Sequence, residues 1–381
     1  MEFAWTEQDR THRARIRALL ASALPADWQV IARHGPGSRE QTLFSLSFCP
    51  QLAEAGLLVP HWPREWGGQG GTVWEHFILG EEMWAAGEPR GPQYMNVNWI
   101  GPVLMQFGSE AQKARYLPPM AQGRAIWCQG FSEPGAGSDL GSLRTRADRD
   151  GDTYVLNGQK IWTSYAGMAE TCFLLVRIGG EKAGKAGIAV FLVPMDSPGI
   201  EVRAIPSLIG HGDIHEVFFT DVRVPASARL GEPGQGWTII SAALANERVG
   251  IPRYALARQV LDDMVGLLQA RAGFADPVVR LRAAEAAAAC DAARLLVYAV
   301  IDARARGIAA EASTARLAVI AADNAVNDFG MEFLPECYHG DGHPALLAHH
   351  ERAIVTGIAA GAAEIQLNLV AQRRLALPKG A

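Results

Sequence analysis

Residues 127–164 read WCQGFSEPGAGSDLGSLRTRADRDGDTYVLNGQKIWTS, and two half-motifs frame this stretch. The first is Phe131-Ser132-Glu133-Pro134-Gly135-Ala136-Gly137-Ser138-Asp139, the second Lys160-Ile161-Trp162-Thr163-Ser164. Glycine and proline punctuate the first half and leave backbone N–H groups and hydroxyls able to meet an oxygen-rich ligand. Between the halves, Asp148-Arg149-Asp150-Gly151-Asp152 is a turn signal, followed by a short β-like run, Tyr154-Val155-Leu156, closed by Asn157-Gly158. A hairpin of that form brings Ser132 and Trp162 side by side, so an indole and two donor loops would seat a planar heterocycle. Read without its spacing, EPGAGSD is equally a structural turn and Trp162 a core residue on a strand edge.

Order and spacing decide between these readings, because the segment resembles the flavin-binding signature of the acyl-CoA dehydrogenase family. In that family (T/S)EPxAGSD, followed by NGxKxW and a hydroxyl residue, wraps the flavin ring. The resemblance implies an FAD cofactor. By position, Phe131 and Ser132 would face the isoalloxazine and Trp162 would pack on it. Thr163 and Ser164 would bond near N5 and O4, Gln129 and Gly137 would line the same wall, and Ser138 would reach flavin phosphate or the pantetheine arm of CoA. Glu133 and Asp139 read as loop-fixing carboxylates.

The chain has 381 residues, 49% of them hydrophobic, enough for two or three domains with large cores. Lys+Arg 35 against Asp+Glu 40 gives a net charge of −5, which offers no global field for nucleic acid. Five scattered cysteines, with no CxxC spacing and no metal-ligand pattern, suit a reducing compartment. The acidic, signal-free N-terminus and the lack of a bilayer-length apolar run predict a cytoplasmic protein.

Apolar spacing predicts helices over Thr6–Trp28, Thr42–Ala55, Thr72–Ala86 and Val97–Phe107, and Ser109-Glu110-Ala111-Gln112 is a capping box opening another. His61 reads as a packed residue. After residue 125 the texture changes to β-branched and aromatic runs, 173–177, 188–193 and 217–224, bounded by Gly/Pro clusters. No GxGxxG or P-loop stands in a convincing context, so any flavin would be held without a Rossmann unit. From Gly234 the chain is alanine-rich, with helices expected over Thr238–Leu268, Val278–Arg306, Ala312–Phe329 and Ala345–Arg374. The expected fold is therefore mainly α with a central β domain: an N-terminal helical domain (1–125), a β-barrel-like middle domain (126–233) and a C-terminal four-helix bundle (234–381). That order is the one found in the acyl-CoA dehydrogenase fold.

The activity that the resemblance implies is α,β-dehydrogenation of an acyl-CoA thioester, which needs one carboxylate base. The usual glutamate falls at Ala360, beside Gly361, so the standard base is absent, although the Ala360 N–H remains available to the thioester carbonyl. A bacterial subgroup carries the base on the first helix of the bundle, just before an arginine. Here that position is Leu244-Ala245-Asn246-Glu247-Arg248, where a kink is expected because Pro252 cannot donate to the Arg248 carbonyl. Glu247 is then the base, set against the plainer reading of a solvated helix glutamate, and Arg248 faces CoA. The substrate-binding set is Ser138, Arg248, Ala360 and Gly361.

The half of the family's site that holds the ADP of a neighbouring subunit's flavin is poorly matched. The nearest stretches are Arg271-Ala272-Gly273-Phe274 and Phe329-Gly330-Met331-Glu332-Phe333, and Ala362-Ala363 delete two hydroxyls. A homo- or hetero-tetramer is expected, the latter with a related acyl-CoA dehydrogenase subunit, passing electrons to an electron-transferring flavoprotein. Other readings are a non-catalytic or half-site companion subunit, and a flavin monooxygenase or oxidase on the same fold. The acyl group is not legible, although small residues at 360 and 361 favour a branched or bulky one.

Overall fold

In the computed structural model the described residues are 4–33, 35–208, 214–247, 251–308, 310–339, 342–359 and 361–378, with only the backbone described at 181–183. The helical start comprises α1 (Glu7–Ala23), α2 (Trp28–Ala32), α3 (Arg39–Glu54), α4 (Val73–Ala85), α5 (Gly101–Phe107) and α6 (Glu110–Ala121). Thr6, Thr72 and Ser109 each accept from the N3 backbone N–H, and the N3 side chain returns the bond. Such a reciprocal cap satisfies two of the donors a helix start leaves orphaned. The first helix stops at Ala23 rather than at Trp28, because Pro25 follows directly. Before α5, Asn96–Ile100 winds as a π-turn, wider than the plain helix expected there.

The strands are β1 (Trp127–Gly130), β2 (Arg146–Asp150), β3 (Thr153–Ser164), β4 (Thr171–Arg177), β5 (Ile188–Pro194), β6 (Ile200–Ala204), β7 (Ile214–Pro225) and β8 (Arg229–Leu230). They form one sheet in the order β6-β7-β3-β2-β4-β5-β8, with β1 paired in parallel to β4. The β2–β3 hairpin turns at Gly151 (φ 61°) as expected. Asn157-Gly158 does not close the strand: β3 runs through it to Ser164. Gly158 takes φ 153° there, and a Cβ would lie 2.5 Å from Thr145 Oγ1, so glycine is needed for close approach rather than for a turn.

The C-terminal helices are α7 (Gly236–Glu247), α8 (Tyr254–Ala270), α9 (Pro277–Ala305), α10 (Ser313–Phe333), α11 (Pro344–Val355) and α12 (Ala363–Arg373). Two of the long helices expected from the sequence are thus broken. Pro252 lies between α7 and α8, a break rather than a kink, and Gly361 in the left-handed region (φ 88°) lies between α11 and α12.

The chain forms two compact units. One comprises residues 1–35, 70–89 and 248–381. Here α10 packs against α8, α9, α11 and α12, around a core that includes Ala257, Met264, Ala293, Val326 and Phe329. The carboxylate of Glu81 is buried among α1, α4, α8 and α9. It accepts from the Tyr254 and Tyr298 hydroxyls at 2.6 and 2.8 Å and pairs with Arg13 at 2.7 Å. Phe329 and Gly330 lie inside α10, with Gly330 against the Tyr338 ring. The other unit comprises 36–69 and 90–247, centred on the sheet, with Leu156, Leu174, Val176, Phe191, Val193 and Val217 in its core. All five cysteines are buried as free thiols. Among the described residues no helix is long and apolar enough to cross a membrane, and no group of three His, Cys, Asp or Glu is placed to hold a metal ion.

Candidate functional site

The sheet-bearing unit gathers nine of the residues singled out from the sequence: Gln129, Phe131, Ser132, Gly137, Ser138, Trp162, Thr163, Ser164 and Glu247. The two half-motifs meet as the hairpin predicts, since the Ile161 N–H donates to the Ser132 carbonyl at 2.9 Å. The first half is a tight turn: Glu133 and Ala136 exchange two backbone bonds of 2.9 and 3.0 Å. Beyond it, a Cβ placed on Gly135 or Gly137 would meet nothing within 4 Å, and Ser138 is exposed, so this backbone faces open space.

A buried ion pair holds the turn to the strand. The Lys160 ammonium, fully buried, donates to Glu133 Oε1 at 2.7 Å and to the Phe131 carbonyl at 3.1 Å. The Glu133 carboxylate also accepts the backbone N–H groups of Arg144 and Thr145, at 2.6 and 2.9 Å. Burial opposes both charges. It prevails at Lys160, pulling the ammonium below its ordinary lysine value. At Glu133 it is outweighed by Lys160 and the N–H donors, which hold the carboxyl below the usual glutamate range. Glu133 is the loop-fixing carboxylate expected from the sequence. The motif alone assigns Lys160 no role, and the signal that marks it is a lone cation in an otherwise β-forming run.

Trp162 is a non-glycine residue in the left-handed region, with φ 58°, and its indole is 59% exposed. The cause lies in the pairing of β3 with β7. Between Lys160 and Thr163 the register shifts, so two residues of β3 oppose one of β7 and the strand bulges at Ile161–Trp162. The bulge turns the indole outward and sends Thr163 inward, where it is 1% exposed. Thr163 Oγ1 is buried with no hydrogen-bond partner among the described residues. The Thr163 carbonyl accepts from His215 Nδ1 at 3.2 Å, and burial pulls that imidazole below its ordinary value.

On β1, half-buried Gln129 accepts at Oε1 from the indole N–H of Trp99, 2.8 Å away. The Phe131 ring packs against Phe173 with centroids 5.9 Å apart. Glu247 ends α7 and is half-buried, and α7 packs on β5, α5 and the π-turn. Arg248 and Ala360 lie outside the described residues, and Gly361 belongs to the helical unit. His61 is packed, its imidazole pushed down to about 4 by burial.

Three family profiles cover the chain: Acyl-CoA dehydrogenase, N-terminal domain, over residues 6–124; the middle domain over 128–222; and the C-terminal domain over 234–375. Among curated proteins it is 33% identical to acyl-CoA dehydrogenase IpdE1 of Mycobacterium tuberculosis, across 97% of this chain and 98% of that one. It is 32% identical to the human mitochondrial short-chain specific acyl-CoA dehydrogenase, across 87% and 83%. Among solved structures it is similar to the Tcur3481-Tcur3483 steroid ACAD, with TM-score 0.90, 29% identity and full coverage of both chains. The ChsE4-ChsE5 complex of Mycobacterium tuberculosis gives TM-score 0.87 and 27% identity, again over both full chains.

Proposed function

Since this chain belongs to the acyl-CoA dehydrogenase family, we propose that it dehydrogenates an acyl-CoA thioester between Cα and Cβ, with FAD as cofactor and Glu247 as base. Family membership makes the chain an oxidoreductase of that family, one whose members are generally flavin-dependent. The observation that carries the finer reading is the buried, unpartnered Thr163 hydroxyl next to the outward-turned Trp162 indole. A polar atom closed off from water without a partner is costly, about 1–3 kcal/mol, unless a ligand satisfies it. Thr163, the flat indole and the open backbone at Gly135 and Gly137 fit a flavin ring and its polar edge.

Phe131, Ser132, Trp162, Thr163 and Ser164 would hold the ring, Gln129 and Gly137 line it, and Ser138 reach its phosphate or the CoA arm. Bound there, FAD would accept the β-hydrogen with its electron pair. Glu247 takes the α-proton, leaving the α,β-unsaturated thioester. A weakly acidic α-carbon yields its proton only to a carboxylate held close in a water-poor site, and the half-buried end of α7 supports that assignment. Arg248, on CoA, and the backbone N–H of Ala360 with Gly361, at the thioester carbonyl, complete the proposed substrate set. The division at about residues 125 and 233 belongs to the same reading.

The two structural neighbours named above are called a steroid ACAD and a complex of two differently named chains. Their likeness, with the poorly matched ADP half, supports a heteromeric assembly with a related subunit and a bulky acyl group; delivery of electrons to an electron-transferring flavoprotein belongs to the same proposal. A companion subunit without chemistry is the second reading, favoured by the alanine at 360 in place of the usual carboxylate.

Purification alone and with a related partner subunit tests these readings. Yellow protein that bleaches anaerobically with a saturated acyl-CoA is expected, whereas protein that stays colourless with partner and excess FAD overturns the flavin assignment. One flavin per chain in a pure homotetramer overturns the heteromeric one. Trp162→Gly separates holding the ring from holding the fold. Relief of left-handed strain should leave stability unchanged or higher by about 1 kcal/mol, while flavin dissociates at least about tenfold more readily as the stacking surface is lost. A differential scan and flavin release on dilution check the two halves.

A further inference from the structure

The π-turn at Asn96–Ile100 interrupts a helical stretch that the sequence reads as continuous, and all five of its residues are buried. Winding of this kind recurs inside α-helices at functional sites. Gly101 follows directly. A Cβ on it would lie 2.2 Å from the Trp62 ring, so the segment is pressed against Trp62 by the absence of a side chain. Two bonds then leave the π-turn for one short segment. Asn96 Nδ2 donates to the Ala125 carbonyl at 2.5 Å, and Trp99 Nε1 donates to Gln129 Oε1 at 2.8 Å. The turn also packs on α7, the helix that ends in Glu247. Tyr94 holds the Trp99 ring edge-on, with centroids 5.4 Å apart.

An indole N–H donates and cannot accept. Only the oxygen of the Gln129 amide can therefore face Trp99, and the amide N–H2 is turned to the other side. Gln129 is the one half-buried residue of β1; Trp127, Cys128 and Gly130 are buried. A glutamine without such a partner presents oxygen or nitrogen with similar ease, because its two ends are nearly isosteric. We infer that Trp99 is a positioning residue that fixes the Gln129 side chain as a hydrogen-bond donor toward an acceptor atom of the bound flavin ring. This rests on the flavin reading above and extends it to a residue that no sequence motif marks. A donor held toward the ring favours the form of the cofactor that carries more negative charge, which is the reduced one.

Trp99→Phe keeps the ring's bulk and removes only the N–H, while Gln129→Leu removes the amide. In the flavin-loaded protein each change is expected to shift the bound flavin's midpoint potential to more negative values and to lower kcat by about tenfold, with KM within about twofold. The double variant should lose no more than either single one, since both act through one bond. In 15N-labelled protein the Trp99 Nε1–H resonance should exchange faster in Gln129→Leu than in the parent, whether or not flavin is bound. Should Trp99→Phe fail to fold, Gln129→Leu alone still reports through the potential and the indole resonance. An unchanged potential in either folded variant, or additive losses in the double variant, overturns the inference while the flavin reading stands. A parent protein that takes up no flavin overturns both.

Discussion

Glu247→Gln will leave flavin bound and lower the rate of anaerobic bleaching by an acyl-CoA by about 10²–10⁴-fold, the range set by losing a positioned general base. The substitution keeps the shape of the side chain and its capacity to hydrogen-bond, and removes only basicity. Flavin absorbance and thioester affinity should therefore stay near those of the parent. Stopped-flow reduction under anaerobic conditions measures the step directly. Bleaching within about threefold of the parent would show that another group takes the proton. In the proposed reading the family's usual glutamate position falls at Ala360, so no second carboxylate there rescues the variant.

Lys160→Met will destabilise the sheet-bearing unit by about 3–5 kcal/mol, as expected when one partner of a buried ion pair is removed and the other keeps its charge. The methionine fills much of the same space, so the loss comes from Glu133 rather than from a cavity. Without Lys160 the carboxylate keeps two backbone donors but no counter-charge. Glu133→Gln added to Lys160→Met should recover part of the loss, by removing the stranded charge. In the parent, Glu133 is held below the usual glutamate range once folded. Its contribution is therefore complete above the unfolded carboxyl's value near 4.5 and is lost as pH falls below it. Lys160→Met should flatten that acid limb. Denaturant melts between about pH 7 and pH 3 give both numbers. An acid limb as steep as the parent's would show that the pair does not set it.

Much of this architecture was legible, because local chemistry and tertiary packing agree in it. The capping box at Ser109 stands where the sequence places it, and the 173–177, 188–193 and 217–224 runs all lie within strands. The turn Asp150-Gly151-Asp152 does what its composition suggests. Asn157-Gly158 carries an equally strong turn signal yet lies inside a strand. The Asn157 side chain exchanges bonds of 3.0 Å with Asp221 on β7, and glycine is needed beside Thr145. The same residue pair thus serves a bond to β7 and a close approach to Thr145 that only the folded chain reveals. The helix breaks are half legible: Pro252 announces an interruption but not that Ile251 and Pro252 leave the helix altogether.

For the candidate site, sequence order alone brings the ring-facing residues into one list. It does not disclose what holds them, because the positive φ of Trp162, the Lys160–Glu133 pair and the π-turn under Trp99 arise from register and packing. Nothing in residues 95–101 changes composition where the winding changes. The aromatic Trp99 there has the look of an ordinary core residue, and its bond to Gln129 spans 30 positions of sequence.

The pairing of β3 with β7 constrains the length of both strands. Its register shifts twice, once between Leu156 and Gly158 and again between Lys160 and Thr163. The first irregularity gives β7 an additional residue near Asp221 (φ 51°), and the second gives β3 one at Trp162 (φ 58°). The two offsets cancel, so the strands enter and leave in the same frame and only the short span around Gln159 is displaced. Lineages that gain or drop one residue in either strand would reverse inside and outside for everything downstream. The lengths of these two strands can therefore drift only as a matched pair, however freely their surface residues vary.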